Sequence, residues 1–186
     1  MLDRIRDESV HLALWRRPRL AALDWLDELD CDEIDDVQET VALADLNGLP
    51  AMLSAANYPD HACTVALAGE VIAHAQRFAR IMDSDGVRIR LEVVETDACR
   101  KFHMDHVEAR LLVPLTEPGT QWIEADPDGR PDAAAPIHQL RAGDVGLFKG
   151  RVLVETPRIL HRSPPIFGTG VSRLLLVLDT PLAVAG

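Results

Sequence analysis

The spacing of apolar residues changes near residue 86. Before it, Ala68, Val71, Ile72, Ala75, Phe78, Ala79 and Met82 recur at steps of three and four. That stripe predicts an amphipathic helix over residues 61–82. Asp83-Ser84-Asp85-Gly86 ends it, with the glycine available for a turn. Shorter helices are expected over residues 19–29 and over 37–46, ahead of Asn47-Gly48. After Gly86 the period falls to two: Val87, Ile89, Leu91 and Val93 share one face of a strand over 87–95. Further short strands are expected over 110–115, 121–125, 144–148, 151–155, 158–161 and 172–179. Turn signals separate them, among them Glu117-Pro118-Gly119, Ala142-Gly143 and Gly168-Thr169-Gly170.

Helices first, then seven or eight closely spaced strands with no helix between them, predict an α+β fold with an antiparallel sandwich or barrel. The organisation expected is a single domain over 1–186. Its helical N-terminal region, 1–85, would pack on one sheet of a barrel over 86–182. In the last strand, Arg173, Leu175 and Val177 fall on one face and Leu174, Leu176 and Leu178 on the other. Both faces are apolar beyond the arginine, so the strand should be covered on both sides and Arg173 at least partly buried. A buried guanidinium needs a carboxylate.

Composition narrows the classes. The chain has 186 residues, 47% of them hydrophobic, enough to bury a sizeable core. Its net charge of −11 argues against non-specific nucleic-acid binding. No apolar run is long enough for a membrane span, and the first twenty residues lack the apolar segment of a signal peptide. A soluble cytoplasmic protein is expected. Cys31, Cys63 and Cys99 are scattered and odd in number, so neither a disulfide framework nor a zinc ribbon is read. The acids crowded between Asp24 and Glu39 read as a solvated face. His74 reads as a satisfied or exposed helical histidine, Trp122 and Phe148 as core, and His138 as exposed in a loop.

Chemistry concentrates in the strand region. His103-Met104-Asp105 is an HxD, and on an extended chain residues i and i+2 point to one side. His106-Val107-Glu108 is a rival HxE three residues on. A second histidine, His161, ends a predicted strand, and Arg173 opens the last one. Two histidines and one carboxylate form a facial triad that leaves metal positions open. An arginine in the same pocket would supply a bidentate partner for a ligand carboxylate. That set can hold a 2-oxo acid on Fe(II).

With these residues in this order, the chain resembles the iron(II)/2-oxoglutarate-dependent dioxygenases, whose fold is a double-stranded β-helix (a jelly-roll, cupin-like barrel). The resemblance runs over about residues 87–180, through Phe102-His103-Met104-Asp105, Gly143-Asp144-Val145-Gly146-Leu147-Phe148, Leu160-His161-Arg162-Ser163 and Ser172-Arg173-Leu174-Leu175. Within that superfamily it looks most like a small bacterial family filed as a domain of unknown function. The resemblance implies that His103, Asp105 and His161 bind Fe(II), and that Arg173 pairs with the far carboxylate of the co-substrate 2-oxoglutarate. Dioxygen and a small molecule or peptide would be the other reactants. The single tyrosine, Tyr58, lies outside the barrel region, so Arg110, Thr120 or Gln121 is expected where relatives place a tyrosine beside 2-oxoglutarate. The other functions weighed are a cupin-like metal-binding protein without turnover, serving metal homeostasis, and a metal-independent interaction module whose barrel presents a surface.

Overall fold

The computed structural model describes residues 1–59, 62–96, 99–156 and 158–181. Its strands are β1 (Leu12–Trp15), β2 (Val37–Ala42), β3 (Gly86–Val94), β4 (Ala109–Pro114), β5 (Gln121–Glu124), β6 (His138–Gln139), β7 (Val145–Lys149), β8 (Ile159–Arg162) and β9 (Arg173–Asp179). Two α-helices, α1 (Leu49–Ala55) and α2 (Ala62–Met82), precede β3. The strands form a six-stranded sheet in the order β1-β7-β4-β9-β3-β2 and a three-stranded sheet in the order β6-β5-β8. Every pairing between these strands is antiparallel. None of the described helices is long and apolar enough to cross a membrane.

Alternation on the central strands sorts the side chains into two layers. Leu174, Leu176 and Leu178 of β9 join Val87, Ile89 and Leu91 of β3 in a core shared with Leu67, Val71, Ala75 and Phe78 of α2. Leu175 and Val177 face the other way, into a second cluster with Leu112, Leu140 and Phe148. Trp122 and Ile159 of the small sheet pack against that cluster from across the gap. The six-stranded sheet is therefore covered on both faces: by the helix on one side, by the small sheet on the other.

The α+β reading holds, and the helix expected over 61–82 is α2, with His61 outside the described residues. Three local expectations do not. Residues 37–46 form β2 followed by a 3-10 helix over Leu43–Gly48. Val37 and Val41 lie four apart, a spacing compatible with either period, and β-branched side chains with a partner in β3 decide for the strand. Residues 19–29 contract to a 3-10 helix over Ala21–Asp27, with Arg19 forking onto Asp24 and Asp27. Residues 151–155 form turns, because the amides of Arg151 and Val152 bond the carbonyls of Asp105 and Val107. The stretch before Gly86 is thus not purely helical; it supplies both edge strands of the large sheet.

One glycine fixes how that turn sits on the loop after His103. A Cβ at Gly150 would lie 2.0 Å from the carbonyl oxygen of Val107. Gly69 is the opposite case, an exposed position inside α2 with nothing within 4 Å of an added Cβ. Gly150→Ala should lower unfolding stability by about 1–3 kcal/mol through backbone overpacking. Gly69→Ala should raise it by about 0.5–1 kcal/mol by removing a helix-interior glycine. Urea unfolding of the two variants against the wild type checks both signs.

Candidate metal centre

The HxD segment reaches its place through a single antiparallel bridge. The amide of His103 donates to the carbonyl of His161 at 3.0 Å, and the amide of His161 donates back at 2.9 Å. His103 and Asp105 therefore lie beyond the strands, hooked onto the free edge of β8. The bridge brings the two imidazole centroids to 4.7 Å. Asp105 completes the set: Oδ1 is 3.6 Å from Nε2 of His103, and Oδ2 is 3.0 Å from Nε2 of His161. One donor atom from each residue falls within 4.8 Å of the others.

The orientation of each group suits a shared cation. Nδ1 of His103 lies 2.8 Å from the carbonyl of Lys101, so it carries the proton and Nε2 is left as the lone-pair donor. His161, on the inward face of β8, packs its ring 4.8 Å from that of Phe148. Burial pushes its pKa below the ordinary histidine value, which keeps the ring neutral. The Asp105 carboxylate raises the pKa of His103. Burial works against ionisation of Asp105, but contact with the two imidazoles and the charge of Arg110 outweigh it and hold the carboxyl far below the usual carboxylate range. Oδ2 of Asp105 is buried without a hydrogen-bond partner; its contact with His161 is close but misaligned. A nitrogen, oxygen, nitrogen donor set with one orphaned anionic oxygen fits a divalent first-row metal. The rival HxE is not part of this cluster, and His106 is exposed.

His103, His161, Arg110, Thr120 and Arg173 open onto one cavity of about 390 Å³ between the sheets. A larger groove of about 880 Å³, between β1 and the ends of β5 and β8, holds none of the three donors. Arg173 is 1% exposed. Its Nη2 donates to Ser163 Oγ at 3.2 Å, Nη1 has only 3.5 Å contacts with Thr120 Oγ1 and the carbonyl of Pro118, and Nε has no partner. Among the described residues no carboxylate pairs with it. Burial, only partly offset by the charge of Glu92, pushes its pKa down to about 10.

The other expected participants are placed differently. Arg110 donates through Nε and Nη2 to Asp179 at 2.7 and 3.0 Å, and its Nη1 forms an ion pair with Asp105 at 2.6 Å. Gln121 accepts from Arg162 and does not line the cavity. Tyr58 is buried in the helix-side core, away from the site. Phe148 is core, whereas Trp122 is half-buried and stacked on His138 at 4.2 Å. His138 is thus a strand residue with an aromatic partner instead of an exposed loop histidine. His74 is buried, with Nε2 3.0 Å from Glu70, which Arg17 also holds. Asp179 was not singled out by its residue type; its even spacing from Arg173 on a strand covered on both sides was the available signal.

Two substitutions test the centre. His103→Ala and Asp105→Ala should each abolish uptake of one divalent ion per chain, read by calorimetric titration, with the far-UV circular dichroism unchanged. Metal affinity of the wild type should rise with pH through the titration of His103, because its proton must leave before Nε2 can bind.

Comparison with curated proteins gives no match. Among solved structures, Pseudomonas putida prolyl-4-hydroxylase aligns over 96% of this chain and 96% of its own, at 12% identity and TM-score 0.51. A full-length Neurospora crassa protein in complex with alpha-KG aligns over 93% of this chain and 74% of its own, also at 12% identity and TM-score 0.51. Streptomyces albus HEPD, with 2-hydroxyethylphosphonate and Fe(II) bound, shares only half of this chain, which spans 18% of HEPD, at 15% identity and TM-score 0.33. At such identities the first two likenesses are likenesses of fold. The sequence pattern of one family matches residues 1–179, and the chain belongs to it: the family described as protein of unknown function (DUF1826).

Proposed function

We propose that this chain is a non-haem Fe(II)- and 2-oxoglutarate-dependent oxygenase, built on a double-stranded β-helix and acting on a small molecule or a protein side chain. The observation that carries the reading is Arg173, a fully buried guanidinium that pairs with no carboxylate among the described residues and lines the same cavity as the two imidazoles that cluster with Asp105. The alpha-KG bound to the Neurospora crassa protein, whose fold this chain shares, supports the choice of 2-oxo acid.

His103, Asp105 and His161 would hold the metal, and Arg173 the far carboxylate of 2-oxoglutarate. Fe(II) and 2-oxoglutarate, when bound, supply the oxidation of a substrate C–H bond by dioxygen, with succinate and carbon dioxide as the other products. The chain's own work is placement and exclusion of water. Thr120 and Ser163 flank the guanidinium and leave part of its donor fork unclaimed for an incoming carboxylate. Leu112, Leu175 and Val177 give the cavity an apolar wall, so charges inside it interact in a low dielectric. Three protein donors, where a closed structural site uses four, leave sides of the metal free for reactants.

Arg173→Leu should leave metal uptake intact and weaken 2-oxoglutarate by about 2–5 kcal/mol, the usual cost of removing one side of a buried charge pair. Lys at this position should restore only part of the loss, because it keeps the charge without the fork. Calorimetric titration of 2-oxoglutarate into the metal-loaded variants decides this. Unchanged affinity in Arg173→Leu would make the arginine structural. A wild type that binds metal but neither binds 2-oxoglutarate nor releases succinate would support the metal-holding alternative.

A further inference from the structure

We infer that Arg110 is a positioning residue for the metal-ligating carboxylate, occupying Oδ1 of Asp105 so that Oδ2 alone is presented to the metal. The inference rests on the metal reading above and concerns how that site is built. Arg110 lies on β4 with Asp179 of β9 and Phe148 of β7 directly across from it. Opposed residues share a face, so all three project into the gap between the sheets. Nε of Arg110 donates to Oδ1 of Asp179 at 2.7 Å and Nη2 donates to Oδ2 at 3.0 Å. This fork-to-fork pair fixes the plane of the guanidinium.

With the plane fixed, the remaining nitrogen has one place to be. Nη1 lies 2.6 Å from Oδ1 of Asp105. Asp179 is itself anchored, since its Oδ2 also accepts from Nη2 of Arg90 at 3.0 Å, and Nη1 of Arg90 reaches Glu92 at 2.7 Å. Asp105, Arg110, Asp179, Arg90 and Glu92 thus form an alternating chain of charge along the inner face of the large sheet. At its Asp105 end one oxygen of that carboxylate is left over: Oδ2, buried, without a hydrogen bond, facing His161. The geometry assigns Asp105 as a one-oxygen ligand and makes Arg110 unavailable to 2-oxoglutarate.

Co(II), added without 2-oxoglutarate, is a suitable probe because its visible spectrum reports coordination geometry. Arg110→Met should weaken Co(II) about 10–100-fold, the usual effect of losing a group that orients a metal ligand, and should shift the spectrum. Arg110→Lys should recover part of the affinity. Asp179→Asn keeps Arg110 but loosens its clamp, so it should move both readouts in the same direction by less. It carries the test if Arg110→Met fails to fold. Unchanged Co(II) affinity and spectrum in these variants, with only a lowered melting temperature, would overturn the inference and leave the metal reading standing. So would a loss of 2-oxoglutarate affinity in Arg110→Met with Co(II) binding unchanged, because Arg110 would then serve the co-substrate. A wild type that takes up no metal would overturn the metal reading and this inference together.

Discussion

A positive charge that cannot reach water organises the interior of this molecule. Arg173 opens a strand of the large sheet in which every residue, from Arg173 to Asp179, is buried. The strand lies in the middle of the six, between β4 and β3, so helix and small sheet must both cover it. That double cover gives the fold its stability and brings the arginine inside. Desolvation of an unpaired guanidinium is costly enough that the surrounding structure has to offer it polar contacts, and two hydroxyls and one carbonyl do so at 3.2–3.5 Å. Those contacts are long. A carboxylate arriving in the cavity would gain a strong partner and relieve the burial in one step.

The rest of the site follows from how the same strand ends. Six residues beyond Arg173, on the same face, Asp179 receives both Arg110 and Arg90. One strand therefore carries an unpaired cation at one end and a doubly paired anion at the other. The unpaired end suits a ligand; the paired end stiffens the support for Asp105. The triad itself is closed by the bridge between His103 and His161, a contact of two backbone hydrogen bonds outside any strand ladder. Gly150 lets the turn after β7 press against the loop that follows His103, where any side chain would meet the Val107 carbonyl. The candidate donors, loop and sheet edge are thus held by backbone contacts, while the charges are held by side chains.

Much of this was legible in the sequence where periodicity is strong. The alternation over β9 sorted its residues into the two layers found, and the stripe of α2 marked the helix that covers one of them. The order of His103, Asp105, His161 and Arg173 identified the residues that the fold gathers around or beside one cavity. What escaped was short or ambiguous. β1 has four residues and β6 two, too few for a period to register. Val37 and Val41 fit either period, and only the pairing with β3 resolves them. The role of Arg110 depends on which acids face it across two strands, a register that no local pattern encodes. Asp179 was hidden for the same reason, as the polar end of an apolar run.

The central claim is that Arg173 and the triad together receive one 2-oxo acid. The most direct measurement is an anaerobic titration of 2-oxoglutarate into the Fe(II)-loaded protein, followed by its optical spectrum. The account predicts a spectral change that saturates at one equivalent per chain and is absent when 2-oxoglutarate is added to the metal-free protein. An Fe(II)-loaded protein whose spectrum does not respond to excess 2-oxoglutarate would contradict it.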